Sequence, residues 1–456
     1  MPAEAESRRE DSGQLYKQKE EQQVELIDRI LSDENIKMAI KAVKQNKGAA
    51  GIDKMPVEEL DAYFLEHGEE IKAQIRAKEY KPQPVRRVYI PKANGKQRPL
   101  GIPTVADRVI QQAVAQVLSR GYERYFSENS CGFRPGRDCH LAIGKALDYL
   151  NAGYEWVIDL DIEKYFDTVN HDKLVSILRE RINDATTLHL IRAFLKAGVM
   201  EDGLVSPSIK GVPQGGPLSP VLSNVYLDKL DKELESRGLC YVRYADDCNI
   251  FVKSEMAANR VMASITSWLE RKLRLKVSAT KTKVTRPSKS VFLGFTFWKG
   301  KDGWKAMPAK DRKAKLYDKT REILGRKRAV AIPLAATFQR LNWLIRGWIN
   351  YFGIGSMKGF MREYSPWMRH KVRVVILKQW KKPKTIYRNL KKLNRIGNCG
   401  FSDEDIFKVA NSRLGWYGRC NGDVVNYVLS PKILGIETKD RPGLVDPLAY
   451  YLARST

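Results

Sequence analysis

Two short stretches of this chain carry carboxylates in a pattern that can do chemistry. One reads Trp156-Val-Ile-Asp-Leu-Asp-Ile-Glu-Lys-Tyr-Phe166-Asp, the other Cys240-Tyr-Val-Arg-Tyr-Ala-Asp-Asp-Cys-Asn-Ile-Phe-Val252. Adjacent carboxylates repel, and taking them out of water is costly. A hard divalent cation compensates both costs, and Mg²⁺ takes one or two protein carboxylates together with phosphates and water. Two such ions ~4 Å apart stabilise the attacking 3′-oxygen and the leaving pyrophosphate of a nucleotidyl transfer. Taken alone, Asp246-Asp247 also fits an ordinary turn pair, so the surroundings must decide.

Those carboxylates need elements to hold them. Val157, Ile158, Leu160 and Ile162 predict a buried strand carrying Asp159 and Asp161. The apolar flanks of Asp246-Asp247 predict strand–turn–strand, with the acidic pair at a tight turn. Residues 85–90 (VRRVYI) stop at Pro91 and read as a strand; KANGKQRPLGIP then reads as a hairpin with Asn94-Gly95 at its tip. Ser219 is the expected N-cap and Pro220 the first residue of a helix reaching about Arg237 and ended by Gly238. Its stripe of Val221, Leu222, Val225, Leu230 and Leu234 reads as core. Apolar spacing from Val24 to Val43 predicts a helix broken near Ser32-Asp33 and ended by Gly48 and Gly51; residues 105–118 predict another. Past residue 298 the texture turns helical. Phe338, Leu341, Ile345, Trp348 and Phe352 mark one helix face, and Pro366, Pro383 and Gly397 punctuate the basic helices beyond it.

Charge narrows the class of partner. The 456 residues hold 80 Lys and Arg against 53 Asp and Glu, a net +27. From Lys310 to Asn398 there are 24 basic and 4 acidic residues. A solvated basic surface is the plain reading; a polyphosphate partner is the sharper one, because neutralising phosphates releases counterions. Aromatic residues at 9% exclude disorder of the whole chain. No apolar run approaches the ~18–20 residues that span a bilayer, and the N-terminus lacks the apolar stretch of a signal peptide. The protein is therefore expected to stay where it is made, away from membranes. Six cysteines without a C-x-x-C pair and five scattered histidines argue against a zinc site or disulfide framework.

Seven ordered segments resemble the reverse transcriptase family. Arg87-Val-Tyr-Ile-Pro-Lys with Arg98-Pro-Leu-Gly-Ile-Pro resembles its first fingers motif, and Cys131-Gly-Phe-Arg-Pro-Gly-Arg-Asp its second. The Asp161 segment, Gly211 to Asn224, and Tyr244 to Asp247 resemble the third, fourth and fifth. Leu275-Lys-Val-Ser-Ala-Thr-Lys281 and Phe292-Leu-Gly-Phe295 resemble the sixth and seventh. Within that family the chain resembles the proteins encoded by bacterial group II introns. Leu341-Asn-Trp-Leu-Ile-Arg-Gly-Trp-Ile-Asn-Tyr-Phe352 looks like their maturase, or thumb, helix.

The resemblance implies a right-hand polymerase of α+β class, with fingers, an antiparallel-sheet palm and an α-helical basic thumb or maturase region. The division expected is a flexible arm (1–22), an N-terminal extension and start of the fingers (23–84), fingers and palm (85–305), thumb and maturase domain (306–397) and a small DNA-binding segment (398–456). Asp161 and Asp246 are expected to ligate two Mg²⁺ ions, which Mn²⁺ can replace, with Asp247 completing the triad in a weaker role. Asp159 rivals Asp161, but an aromatic five residues on, here Phe166, favours Asp161. Phe166 would clash with a 2′-hydroxyl, although plain core packing also fits it. Lys92 and Arg98 can fold over a triphosphate. Gln214 would face the incoming nucleotide, beside glycines that permit close approach of a base pair. Lys281 would protonate departing pyrophosphate. Phe292, Leu293, Gly294 and Phe295 would form a primer grip, a core strand, or both.

Arg369, Lys371, Arg373, Lys378, Lys381, Lys382, Lys384, Arg388, Lys391 and Lys392 would grip an A-form duplex by its phosphates and 2′-hydroxyls. Trp367, Trp380 and Tyr387 are interleaved and equally fit packing between helices. The implied function is RNA-directed DNA synthesis, with maturase assistance to splicing and mobility of the parent intron. The implied partners are group II intron RNA, an RNA template with a DNA primer, dNTPs and target DNA, without a membrane, in the bacterial cytosol; a homodimer is one assembly to consider. Other readings stay open: a domesticated enzyme of phage defence or repair, an RNA-binding splicing factor without polymerase activity, and an RNA-copying RNA polymerase. The 57 residues after Cys399 hold no paired cysteines, so a zinc-bearing nuclease is not expected, as in the compact IIC-type proteins.

Overall fold

Burial on both faces makes Val157, Ile158 and Leu160 the centre of a sheet rather than its edge. In the computed structural model, which describes residues 25–91, 95, 97–201 and 203–454, the chain divides at Arg286 and Pro287 into two units. The first unit contains strands β1 (Val85–Pro91), β2 (Gln97–Ile102), β3 (Trp156–Asp161), β4 (Val199–Glu201), β5 (Leu204–Ser206), β6 (Cys240–Tyr244), β7 (Asp247–Val252) and β8 (Lys283–Thr285). They form two sheets, ordered β2-β1-β4-β5 and β6-β7-β3-β8. Every pairing in the second sheet is antiparallel.

The expected strand–turn–strand is β6 and β7, joined through Ala245 and Asp246, with Tyr244 paired to Asp247. Ala245 takes φ +56°, the left-handed value such a tight link requires. The β1–β2 hairpin pairs Pro91 with Gln97, and Lys92 and Asn94 at its tip lie outside the described residues, as does the arm before residue 25. The first helices, Leu26–Leu31 and Asp33–Gln45, break at Ser32, whose hydroxyl accepts from the Asn35 N–H. Thr104 caps a helix over Val105–Glu123, longer than its apolar spacing suggested.

The helix after the Gln214 turn spans Ser219–Ser236 and buries the expected stripe. Its start differs by one residue. Leu218 is the N-cap, and Ser219 is already helical because its hydroxyl donates instead to the Pro213 carbonyl at 2.6 Å. Gly238, at φ +64°, ends it as expected.

The second unit opens with the hairpin β9 (Phe295–Gly300) and β10 (Gly303–Pro308), followed by helices that include Lys310–Ile323, Leu334–Phe352, Lys358–Trp380 and Pro383–Gly397. Phe338, Leu341, Ile345 and Phe352 are buried along one face of Leu334–Phe352, whereas Trp348 is half-buried and Ile349 lies inside. Pro366 does not punctuate: Lys358–Trp380 runs through it. Pro366 and Arg362 are both exposed, so water can satisfy the carbonyl that a proline leaves without a partner. No helix of the described residues is long and apolar enough to cross a membrane.

One buried side chain secures the β6–β7 turn. Arg243 is fully buried in β6. Its Nε and Nη2 donate to Asp231 Oδ1 and Oδ2 at 2.7 and 2.6 Å. Nη2 also donates to Ser130 Oγ at 2.7 Å, and Nη1 donates to Asn224 Oδ1 at 3.1 Å and to the Ala245 carbonyl at 2.9 Å. All the donors of a guanidinium are thereby used. Asn224 Nδ2 in turn donates to the Gly132 carbonyl at 2.8 Å. Gly132 lies so close to the turn that a Cβ there would stand 2.3 Å from the Ala245 nitrogen. The Cys131–Asp138 loop, the Ser219–Ser236 helix and the turn thus meet at one ion pair.

Breaking a buried pair from one side strands the other charge, at a cost of ~3–5 kcal/mol. Arg243→Met is expected to lose about that much in urea unfolding followed by circular dichroism. Arg243→Met combined with Asp231→Leu should recover part of the loss. A double variant no more stable than the single one would mean that the stranded carboxylate is not the cause.

Candidate active site

The register of β3 on β7 decides which acidic residues meet. Asp161 is paired with Asp247, and Asp159 with Asn249. Asp161 therefore stands level with the turn that carries Asp246, while Asp159 is one pleat further down the strand, 3.7 Å from the Lys283 ammonium. The backbone of Asp161 is tied on both sides: its N–H donates to Thr282 Oγ1 at 3.1 Å and its carbonyl accepts from the Ser278 N–H at 2.9 Å. Lys281 sits 3.0 Å from each carboxylate oxygen of Asp161.

Like charge accumulates at this corner. Burial raises the pKa of Asp246, and the charge of Asp161 adds to the rise, while the cations Arg98 and Lys281 act against it. Burial, then the charges of Asp246 and Asp161, push Asp247 up to about 6. Among the described residues no group of three His, Cys, Asp or Glu side chains is arranged to hold a metal ion. Lys281 spans the oxygens of Asp161 instead, so the arrangement carries its own counter-cation. The donor chemistry nonetheless suits a hard divalent ion: oxygen ligands, mutual repulsion, and one carboxylate already gripping a cation.

Phe166 and Gln214 lie together along a cleft of about 440 Å³ that also involves Gly215, Gly216 and Phe133. Phe166 is half-buried, edge-on to Tyr165 at 5.2 Å between ring centroids. The Gln214 carbonyl accepts from the Gly101 N–H at 2.7 Å, which ties the turn to β2. Gly215, at φ +124°, has no room for a side chain, since a Cβ would stand 2.5 Å from the Gly101 carbonyl oxygen. Arg98, on β2, is exposed.

Residues 90–297 match the family model described as reverse transcriptase (RNA-dependent DNA polymerase). Residues 313–394 match that of the group II intron, maturase-specific domain. Protein YkfC of Escherichia coli (strain K12) is 32% identical over 349 residues, covering 68% of this chain and 88% of that protein. The chain belongs to the group II intron reverse transcriptase family. The group II intron-encoded protein LtrA of Lactococcus lactis subsp. cremoris is 43% identical over 173 residues, which cover 38% of this chain and 29% of LtrA. A partial Cas6-RT-Cas1--Cas2 complex aligns with a TM-score of 0.36 at 26% identity, over 54% of this chain and 43% of that one, a likeness that bears on neither fold nor function. The fold class is the α+β reverse transcriptase fold, and the enzyme class that of an RNA-directed DNA polymerase.

For a group II intron reverse transcriptase the second unit holds fewer free cations than its composition suggests. Arg373 departs from the expected phosphate contact. It is buried, donates to the Leu429 and Asn426 carbonyls at 3.1 and 2.9 Å and to Asn426 Oδ1, and burial lowers its pKa to about 10. Arg369 likewise departs, being paired with Asp446. Both cations fasten the long helix to the C-terminal segment. Lys391 is paired with Asp403. Lys381, Lys382, Lys384, Arg388 and Lys392 are exposed, and Lys371 and Lys378 half-buried. Trp367 packs edge-on to Tyr317 at 4.6 Å, so helix packing describes it. Phe292 and Phe295 are core, each N–H donating to the other's carbonyl. Leu293 and Gly294 form the turn between them, with φ +51° and +83°.

The Arg243 network escaped the reading by motif. Its signal was present all the same: an arginine flanked by valine and tyrosines in a strand that buries it must find a charge partner.

Raised carboxyl pKa values make the folded state bind more protons than the unfolded chain between the two values. For Asp247 that interval runs from its ordinary 3.8 to about 6, and its contribution to stability is lost as pH rises across it. Its outward side is exposed, which softens the effect. Asp247→Asn keeps a neutral group at every pH, so its stability relative to the natural chain should increase from about pH 4 to about pH 6 in thermal melts with chelator. A constant difference would show that Asp247 titrates normally.

Proposed function

We propose that the corner formed by Asp161, Asp246 and Asp247 is the polymerase centre, with Mg²⁺ or Mn²⁺ held by Asp161 and Asp246 and Asp247 acting indirectly. The observation that supports this is the pairing of Asp161 with Asp247 beside the β6–β7 turn. Bound divalent ions supply charge neutralisation to an attacking 3′-oxygen and a leaving pyrophosphate. The chain's own residues do the rest. Lys281 holds a proton on the ammonium beside Asp161 and, once displaced from that carboxylate, is the group to hand it to pyrophosphate. Arg98 brings positive charge to the triphosphate side of Asp246, with Lys92 assigned the same task. Phe166 presents a ring in the cleft it shares with Gln214, where it would exclude a 2′-hydroxyl. The substrates are then dNTPs on a DNA primer and RNA template.

The turn Leu293-Gly294 is assigned to the primer. The exposed Lys381, Lys382, Lys384, Arg388 and Lys392 are assigned to phosphates of intron RNA or of the product duplex. The segment after Gly397 is assigned to target DNA.

Primer extension on an RNA template tests the centre. Asp246→Asn should lower extension by more than about a hundredfold, since even an indirect partner of a metal typically costs 10–100-fold. Binding of structured intron RNA by the same variant should stay within about twofold, because the basic surface is untouched. Extension that survives in Asp246→Asn would sink the assignment. In a separate assay Phe166→Ala should raise ribonucleotide use relative to deoxynucleotide use by about tenfold or more, the scale of a steric pocket contact. An unchanged ratio would leave Phe166 as core packing.

A further inference from the structure

The second unit contains a cavity of about 150 Å³ that the polymerase reading does not use. Leu324, Val374 and Val375 line it and are buried. Arg321, Lys371, Lys378 and Tyr417 also line it and reach solvent. Lys371 lies 5.8 Å from the centroid of the Tyr417 ring. Three cations therefore surround an apolar hollow with an aromatic ring at its side.

The charges are poorly balanced. Arg321 pairs with Asp318 at 2.7 Å. Among the described residues no ion pair is found for Lys371 or Lys378. Gathering like charges raises the energy of the empty site, and a bound anion relieves it. A free phosphate would need no hollow beneath it. An apolar cavity of ~150 Å³ takes one benzene-sized ring. Ring and anion together describe a nucleotide, and the size favours a pyrimidine over a purine. Single-stranded RNA is read by splayed bases stacked on aromatic side chains. Most of the lining, from Arg321 to Lys378, falls within the segment 313–394 that matches the maturase-specific domain.

We propose that this cavity receives one extruded pyrimidine of an RNA strand, its ring against Val374, Val375 and Tyr417 and its phosphate between Arg321, Lys371 and Lys378. The inference rests on the reading of the second unit as RNA-binding, and names the unit of RNA it selects.

The test uses the full chain and a short oligouridylate carrying thiouridine, photo-cross-linked and mapped by peptide mass. The expected cross-link is on the peptide containing Tyr417. Oligouridylate should bind at least about fivefold more tightly than oligoadenylate of equal length, the low end of one stacked base. Tyr417→Ala should erase that preference, and Lys371→Gln should weaken oligouridylate binding several-fold. Tyr417 is 48% exposed, so its truncation leaves the fold standing, and a melting curve checks this. Equal affinity for the two oligonucleotides, or cross-links elsewhere without Tyr417, would overturn the proposal. Primer extension by the same preparation reports separately on the polymerase centre, so either reading can fail alone.

Discussion

The acidic corner depends on the ion pair between Arg243 and Asp231. Adjacent aspartates, one on the two-residue link and one opening β7, repel each other, and Ala245 holds a left-handed backbone that costs an L-residue ~1–2 kcal/mol. Nothing within such a turn offsets both terms. The guanidinium braces the backbone term alone, taking the Ala245 carbonyl while its other donors grip the Ser219–Ser236 helix and Ser130. Burial opposes the charge of Arg243, yet Asp231 outweighs it and the pKa is raised. The support is thus a permanent charge sealed beneath the site. Glycine at position 245 would relieve the backbone but leave the hairpin more freedom.

The corner held by this network is electrostatically unsatisfied. Asp246 and Asp247 both have raised pKa values, and among the described residues Lys281 alone supplies a direct cationic contact to the three, on Asp161. Functional sites commonly carry such perturbation because the chemistry needs groups that a stable fold would avoid placing together. Here the stability is furnished by the neighbouring core, where the Ser219–Ser236 helix and β3 bury nearly continuous apolar surface.

The basic second unit shows why a charge count is a coarse guide to binding. Arg369 and Arg373 lie in the same positively charged run as Lys381 and Lys382, yet they face inward and hold the long helix to the C-terminal segment through Asp446 and Asn426. The buried Arg373 guanidinium, with its Nε, Nη1 and Nη2 all donating, cannot also neutralise a phosphate. Among the described residues no ion pair is found for Lys384 or Lys392 of the following helix, so their charge stays at the surface.

Much of this was legible in the amino-acid order. The apolar run of β3, the acidic turn between apolar strands and the apolar stripe after the glycine turn are local patterns, so they can be read without knowing what packs against them. The order of the motifs likewise identified the family. Tertiary structure decided the rest. Only strand register placed Asp161, rather than Asp159, level with the acidic turn, because register depends on which strands pair. Only packing revealed that Ser219 bonds backward to Pro213 and that Pro366 can stay within a helix whose freed carbonyl faces water. The partner of Arg243 lies on a different element, and a contact between distant stretches leaves no period in the chain.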